Sequence, residues 1–256
     1  MLDFQIASDL HIEYKNDDIP DPLDYITPVS DILILAGDIG CLYKFQQLKG
    51  FLERLCVHFK QVLYVAGNHE YYVILNNNFI QPLSMEILLN RLYTIEKSIP
   101  NLHILNQSSV IIPNTNICIS GCTLWSKPEI TLPKFIVRIH GITNSIYEQN
   151  HKNDVQYIEK MIDYCQKKDL KLVVVTHYCP TFQSINQDKK KDKYVSLYAS
   201  NLDNLLVSEK IHTHIFGHSH YNIDIKTQGG TRVVSNQKGK PKDNLTDYSK
   251  SFVITI

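Results

Sequence analysis

Short apolar blocks alternate along the chain with longer stretches in which apolar residues recur every three or four positions. The blocks at 4–7, 32–36, 62–66, 110–112, 117–120, 172–176, 211–216, 233–235 and 252–256 predict strands. Those at 32–36, 62–66, 172–176 and 211–216 are apolar throughout or nearly so, as expected of strands covered on both faces. Four stretches carry helical spacing. In 45–59, Phe45, Leu48, Leu52, Leu55 and Phe59 share a face. In 82–98, which ends before Pro100, Met85, Leu88, Leu89, Leu92 and Ile95 do the same. The stretches 155–167 and 201–208 are similar, and all four stripes read as core packing. Alternating strands and helices predict an α/β protein, and the thinning of helices toward the end predicts a mixed sheet. No internal repeat or shift in composition divides the chain, so one domain is expected over 1–256. Two long connections stand out, 125–151 with Pro128 and Pro133, and 181–197.

Composition narrows the class without naming it. A chain of 256 residues with 43% hydrophobic and 20% charged residues can bury a sizeable core. Its 26 basic and 26 acidic residues cancel, which removes the global positive field of a dedicated nucleic-acid binder and leaves only a local groove open. The run Lys189-Lys190-Lys191-Asp192-Lys193 reads first as a solvated surface and second as an attractor for a phosphorylated substrate. Six cysteines lack C-x-x-C spacing, so they read as reduced, buried thiols rather than a zinc ribbon or redox pair. The chain opens on a strand-like segment without a basic and then apolar leader, and no apolar run approaches the roughly 18 residues that span a bilayer. A soluble, cytoplasmic protein with no membrane partner is the expectation.

The candidate chemistry lies just after the apolar blocks. Five polar motifs occur there: Asp9-Leu10-His11, Gly37-Asp38, Gly67-Asn68-His69-Glu70, Thr176-His177 and Gly217-His218-Ser219-His220. Each alone has an ordinary explanation. An Asp-x-His triplet arises by chance, Asp38 could start a turn or cap a helix, and a lone histidine at a strand end is usually structural. Glu70 aside, together they supply two carboxylates, one amide and five imidazoles, an inventory for two metal ions and one catalytic histidine. In an extended segment Asp9 and His11, or His218 and His220, would point to the same side. The two oxygens of Asp38 can bridge two ions, and Gly37 permits close backbone approach. Asn68 can ligate through its amide oxygen, while His69 is left for acid–base work. Glu70 reads as a hydrogen-bond acceptor behind the site. His212 and His214 lie inside a strand and are assigned core or face-lining roles.

Such a set suits phosphoryl transfer. Two cations about 3.5–4 Å apart can share a bridging hydroxide and clamp both the attacking and leaving oxygens. Mixed nitrogen and oxygen donors without thiolate suit Mn²⁺ foremost, with Fe or Zn²⁺ as alternatives. A histidine titrating near neutrality suits protonation of the leaving oxygen.

The order of these motifs resembles that of the calcineurin-like metallophosphoesterase superfamily: D-x-H, G-D, G-N-H-[DE], a lone H, and G-H-x-H. Segments 8–11, 64–71, 121–125 and 229–236 also resemble a small bacterial-type branch. The resemblance implies a four-layer α/β/β/α sandwich of two mixed β-sheets flanked by helices, with the site on the carboxyl-side loops. It also implies that Asp9, His11, Asp38 and His220 hold one divalent metal ion. Asp38, Asn68, His177 and His218 hold the other, and His69 is the general acid. Family members acting on phosphoproteins read G-D-x-x-D-R-G. Here Cys41 stands for the Asp that orients the histidine and Leu42 for the Arg that grips phosphate. That departure points away from phosphoproteins and leaves the partner of His69 open, with Glu70 or a backbone carbonyl as candidates.

The expected activity is therefore binuclear, metal-dependent hydrolysis of a phosphodiester or phosphomonoester by in-line attack of a metal-bridging hydroxide. A diester is favoured because the phosphate-gripping Arg is missing. The expected substrate is a small molecule or nucleotide. A metal-dependent nuclease approached along 189–193 and a catalytically silent binding scaffold are the alternatives. Specificity is expected in loops 70–80, 122–150 and 180–198, where Tyr71, Tyr72, Trp125, His140 and Tyr178 could stack on a ring or pack the loops.

Overall fold

The computed structural model describes residues 1–74 and 81–256. Loop 70–80, expected to carry specificity, thus falls largely outside the described residues. The elements run β1 (Asp3–Ala7), β2 (Ile32–Ala36), α1 (Phe45–Cys56), β3 (Gln61–Val65), α2 (Met85–Ser98), β4 (Leu102–Ile104), β5 (Ser108–Ile111) and β6 (Ile117–Cys122). They continue with α3 (Asn144–Lys167), β7 (Lys171–Thr176), β8 (Thr213–Ile215), β9 (Asp224–Lys226), β10 (Arg232–Val234) and β11 (Val253–Thr255).

Two mixed sheets form. The first has the order β11-β1-β2-β3-β4, parallel from β1 through β4 and antiparallel at β11. The second has the order β5-β6-β7-β8-β10-β9, parallel from β6 to β10 and antiparallel at both edges. Alternate residues explain the layers. Phe4, Ile6, Ile32, Ile34, Leu63 and Val65 of the first sheet share one buried cluster with Ile117, Ile119, Val173, Val175, Ile215 and Val234 of the second. The intervening residues face outward. Leu33, Leu35, Val62 and Tyr64 belong with Leu48, Phe51, Leu52 and Leu55 of α1 and Leu88, Leu92 and Ile95 of α2. Cys118, Leu172 and Val174 belong with Ile158, Met161, Ile162 and Cys165 of α3. Both faces of β2 are thereby covered, which is why all five of its residues are apolar and buried. This is the four-layer arrangement expected.

Several element boundaries differ from the pattern reading. Segment 201–208 is a turn with Leu202, Leu205 and Leu206 buried. Asn and Asp favour turns there, and eight residues are too few to sustain a helix without strong packing. Helix α3 starts at Asn144 rather than 155, so the long connection from 125 ends at its cap, Thr143, whose hydroxyl accepts from Ile146 N at 3.2 Å. Its first turns are polar outside and bury chiefly Tyr147 and Asp154, so they show no apolar stripe. Helix α1 stops at Cys56, and α2 begins only at Met85, capped by Ser84. The three-residue strands β4 and β9 are too short to show a period. All six cysteines are buried and unpaired. No helix among the described residues is long and apolar enough to cross a membrane.

Candidate metal centre

Every candidate side chain leaves the carboxyl end of a parallel strand. Asp9 and His11 follow β1, Asp38 follows β2, Asn68 and His69 follow β3, His177 follows β7, and His218 and His220 follow β8. Strands of both sheets therefore end around one place. The local backbone is unusual there. Asp9, His11, Asp38, His218 and His220 all have positive φ, between 49° and 70°. Non-glycine residues avoid this region at a cost of order 1 kcal/mol or more, and such residues cluster at functional sites. The expectation of extended D-x-H and H-x-H segments is therefore corrected. Left-handed turns, not strand alternation, bring Asp9 and His11 together, while His218 and His220 join different groups of donors. Gly37 also has positive φ, at 87°, and a Cβ on it would collide with the His177 ring; a Cβ on Gly67 would collide with the Asp38 carboxylate. Glycine is required at both for steric reasons.

The donor atoms converge. The groups Asp9/His11/His220, His11/Asp38/His69 and Asp38/His177/His218 each place their nitrogen and oxygen atoms within 4.8 Å of one another. Asp38 is common to two of them. Its Oδ2 lies 3.8 Å from His11 Nε2 and its Oδ1 lies 3.3 Å from His177 Nε2. Asp9 Oδ1 is 3.1 Å from His220 Nε2, and Asn68 Oδ1 is 3.0 Å from His177 Nε2.

The rings are held from behind. His11 Nδ1 lies 3.0 Å from Glu13 Oε1 and His220 Nδ1 lies 2.5 Å from Asp243 Oδ2. His177 Nδ1 bonds the Ala36 carbonyl at 2.9 Å, and His218 Nε2 bonds the Leu197 carbonyl at 3.0 Å. A ring nitrogen that donates to a carboxylate or carbonyl fixes the tautomer and turns the other nitrogen's lone pair inward. His11 Nε2 and His220 Nε2 then face one another at 3.1 Å. Two lone pairs so close repel unless positive charge lies between them. Four imidazoles, two carboxylates and an amide oxygen, without thiolate, fit hard or borderline divalent cations.

Electrostatics reinforce the picture. Burial pushes the carboxyl of Asp9 upward, but the His220 ring overrides it and holds Asp9 at about 2. Glu13 follows the same pattern and lies at about 2, lowered by His11 and His69. Against the downward push of burial, Asp38 and Asp9 raise His177 to about 9. Burial lowers His69 to about 4 although Asp38 and Glu13 pull it up. Burial and the Asp38 carboxylate push Glu70 up to about 8.

Glu70 behaves as the sequence implied, as an acceptor. It takes hydrogen bonds from the amides of Gly67 at 2.7 Å, Ile39 at 2.8 Å and Asp38 at 3.1 Å, and from the Tyr64 hydroxyl at 2.6 Å. It does not serve His69. That partner is Glu13, whose Oε1 lies 2.8 Å from His69 Nδ1. Glu13 stands two positions after His11, the spacing that links Asp9 to His11, and that spacing could have flagged it. Asp243 and Gln237, whose Oε1 accepts from His220 N at 2.6 Å, carry no comparable signal. His214 is buried with Nε2 2.9 Å from the Thr176 hydroxyl, in keeping with a core role. Tyr71, Trp125 and Tyr178 are buried rings packed on one another and on Tyr147. Lys189 departs from a purely solvated run. Its ammonium turns inward to the Ser219 carbonyl and lies 4.8 Å over the Tyr198 ring.

Comparison with known proteins agrees with this geometry. The family model for the calcineurin-like phosphoesterases matches residues 4–222. The chain belongs to that family. The calcineurin-like members are metal-dependent hydrolases of phosphoric esters, and this is one. The chain is also similar to the uncharacterized protein L509 of Acanthamoeba polyphaga mimivirus, 24% identical over 95% of this chain and 94% of that one. Among solved structures it resembles the phosphopantetheinyl hydrolase of Mycobacterium tuberculosis, with a TM-score of 0.71 and 15% identity over 98% of this chain and 95% of that one. A dimetal phosphatase from Danio rerio aligns with a TM-score of 0.53 and 12% identity, over 91% and 86% of the two chains. At these identities the two structures speak for the fold alone.

Proposed function

We propose that this phosphoesterase holds two divalent cations, Mn²⁺ foremost, and hydrolyses a small phosphodiester with His69 as its general acid. One cation is assigned to Asp9, His11, Asp38 and His220, the other to Asp38, Asn68, His177 and His218. The observation that carries the reading is the shared Asp38 carboxylate, which presents Oδ2 to His11 and Oδ1 to His177. Cations bound there would supply Lewis-acid charge for the phosphoryl oxygens and lower the pKa of a water.

The chain's own groups do the rest. His69 sits in the same turn as Asn68, and its backbone N–H donates to Asp38 Oδ1 at 2.7 Å. This bond fixes the turn relative to the shared carboxylate. Glu13 takes the Nδ1 side of the ring and leaves Nε2 to face a departing oxygen. As hydroxide, left when such a water has given its proton to solvent, forms its bond to phosphorus, the bond to the leaving oxygen breaks with its electron pair on that oxygen, which takes the Nε2 proton. A bound phosphate brings negative charge beside a ring that burial has pushed down, and so favours its protonated form. The buried Cys41 and Leu42 place no cation against the phosphoryl group, which favours a diester over a doubly charged monoester.

The test is metal content together with turnover. Protein loaded with Mn²⁺ should carry two ions and cleave bis(4-nitrophenyl) phosphate faster than 4-nitrophenyl phosphate. Asp38→Ala should bind fewer ions and lose activity. Full activity in that variant would end the assignment. A phosphopantetheinyl ester belongs in the screen because of the Mycobacterium tuberculosis neighbour's name. Labelled oligonucleotides test the nuclease reading, whose rate would fall steeply with salt.

A further inference from the structure

The His69 ring forms one end of an open cleft of about 1320 Å³ among the described residues. That exceeds the roughly 300–1,000 Å³ of most small-molecule sites, so a leaving alcohol far larger than methanol fits. The charge on its walls is uneven. Two carboxylates line it, and both are engaged. Glu13 holds His11 and His69, and Asp17 lies 3.2 Å from Lys44 Nζ. Lys44 is in turn spent on that pair and on the carbonyls of Glu13, Lys15 and Asn16.

Arg138 is different. Among the described residues its guanidinium makes no hydrogen bond or ion pair. Its main chain is nevertheless fixed, because its carbonyl accepts from Val73 N at 2.8 Å and the adjacent Ile139 pairs with Tyr72. The Tyr72 ring ties it to the reaction centre. That ring centroid lies 4.6 Å from the His69 ring and 5.1 Å from Arg138 Cζ. Arg91 enters the same cleft from α2. It spends one N–H on the Leu42 carbonyl at 3.0 Å and lies 5.9 Å from the Phe45 ring centroid. Lys15, on the rim, is exposed and unpaired among the described residues. A chain with zero net charge thus gathers cations beside the side chain assigned to the leaving oxygen.

We infer that this cleft is a leaving-group subsite in which Arg138 binds an anionic group, a second phosphate, carried by the departing alcohol. This rests on the phosphoesterase reading above and deepens it. The substrate class becomes a phosphoric ester whose leaving group is itself phosphorylated. A guanidinium presents paired N–H donors that match phosphate, and Arg91 and Lys15 supply further charge for a dianion. The aromatic surfaces of Tyr14 and Tyr72 line the path between the two phosphates.

Two methyl phosphodiesters test it. Their nitrophenol leaving groups have matched pKa, one bearing a phosphonomethyl arm and the other an ethyl arm. The wild-type enzyme should prefer the phosphonate by about 10- to 100-fold in kcat/KM, the worth of a charged hydrogen bond. Arg138→Gln should bring the ratio close to one, and Arg138→Lys should keep part of it. Binding of the free phosphonomethyl nitrophenol, measured calorimetrically with metal chelated, should weaken by a similar factor in Arg138→Gln. No wild-type preference, an unchanged ratio in Arg138→Gln, or an equal loss on both esters overturns the subsite. The last result would assign Arg138 to the transferred phosphoryl group instead. Failure to cleave either ester while the phenol still binds through Arg138 would sink the phosphodiesterase reading and leave the anion site standing.

Discussion

The two halves of the centre each present two imidazoles and share Asp38, but their rings are supported differently. On the Asp9 side, His11 and His220 are backed by the carboxylates of Glu13 and Asp243. On the Asn68 side, His177 and His218 are backed by the backbone carbonyls of Ala36 and Leu197. A carboxylate behind an imidazole makes it a more basic donor than a neutral carbonyl does. The first half also gathers the charge of Asp9, Glu13 and Asp243, while the second offers an amide oxygen and a share of Asp38. The first half should therefore hold its ion more tightly, and the second should exchange first. Glu13 extends the asymmetry, because its single Oε1 serves both His11 and His69. The same carboxylate thereby couples one proposed ion to the proposed acid.

The largest expected effect breaks that coupling. His69→Ala should slow cleavage of an alkyl phosphodiester by about 10²–10⁴, the usual contribution of a general acid. Glu13→Gln should cost less, about 10- to 100-fold in kcat with KM little changed. The shape of the loss separates positioning from mere structural damage. A misoriented acid hurts poor leaving groups, which need the proton, and spares nitrophenolate, which departs without it. Equal losses on alkyl and nitrophenyl esters in Glu13→Gln would remove Glu13 from the role.

Much of this centre was legible in sequence because its residues stand at the ends of apolar runs, where they form short polar motifs in a definite order. Asp9, His11, Asp38, Asn68, His69, His177, His218 and His220 were all found that way, and the structure gathers the carboxylates and imidazoles, with Asn68 joined through His177. The layered fold followed from the same runs, since strands covered on both faces announce themselves. The supporting residues were not legible. Asp243 reaches His220 from a turn 23 positions downstream, and nothing in local pattern marks such a contact. Arg138 depends on the pairing of Tyr72 with Ile139 across a long connection. The left-handed turns at Asp9 and His11 defeated the extended-segment argument, although its conclusion that the two side chains meet was right. The polar start of α3 hid a helix because its inward residues are Tyr147 and Asp154 rather than an aliphatic stripe.

Asp154 shows what burial does to a carboxylate that lacks imidazole neighbours. It accepts from Gln107 Nε2 and Leu124 N, both at 2.8 Å, yet burial raises it to about 6, whereas Asp9 and Glu13 lie at about 2. The native state keeps a proton there that the unfolded chain releases near 3.8. Its contribution to stability is complete below that pH and is lost as pH rises through about 6, at most about 3 kcal/mol. Urea unfolding of wild type and Asp154→Asn from pH 4 to 7 should show the stability difference between them narrowing by up to that amount. A gap that stays constant with pH would show that the hydrogen bonds, and not burial, govern this group.

The smallest effect asks most directly whether the halves differ. Asp243→Asn keeps the side chain's size and can keep one hydrogen bond to His220 Nδ1, but it removes the charge behind the ring. Affinity for the ion assigned to Asp9, His11, Asp38 and His220 should fall by about 10- to 100-fold. The ion assigned to Asn68, His177 and His218 should be held as before, because its rings lean on main-chain carbonyls that no side-chain substitution alters. Competition with a chromogenic chelator reads this as two release steps in the wild type. In Asp243→Asn the tighter step should move toward the weaker one until the two merge, while the weaker one stays in place. Displacement of both steps together would mean that the ions are bound as one cooperative unit through Asp38. The contrast between carboxylate and carbonyl support would then have no thermodynamic consequence.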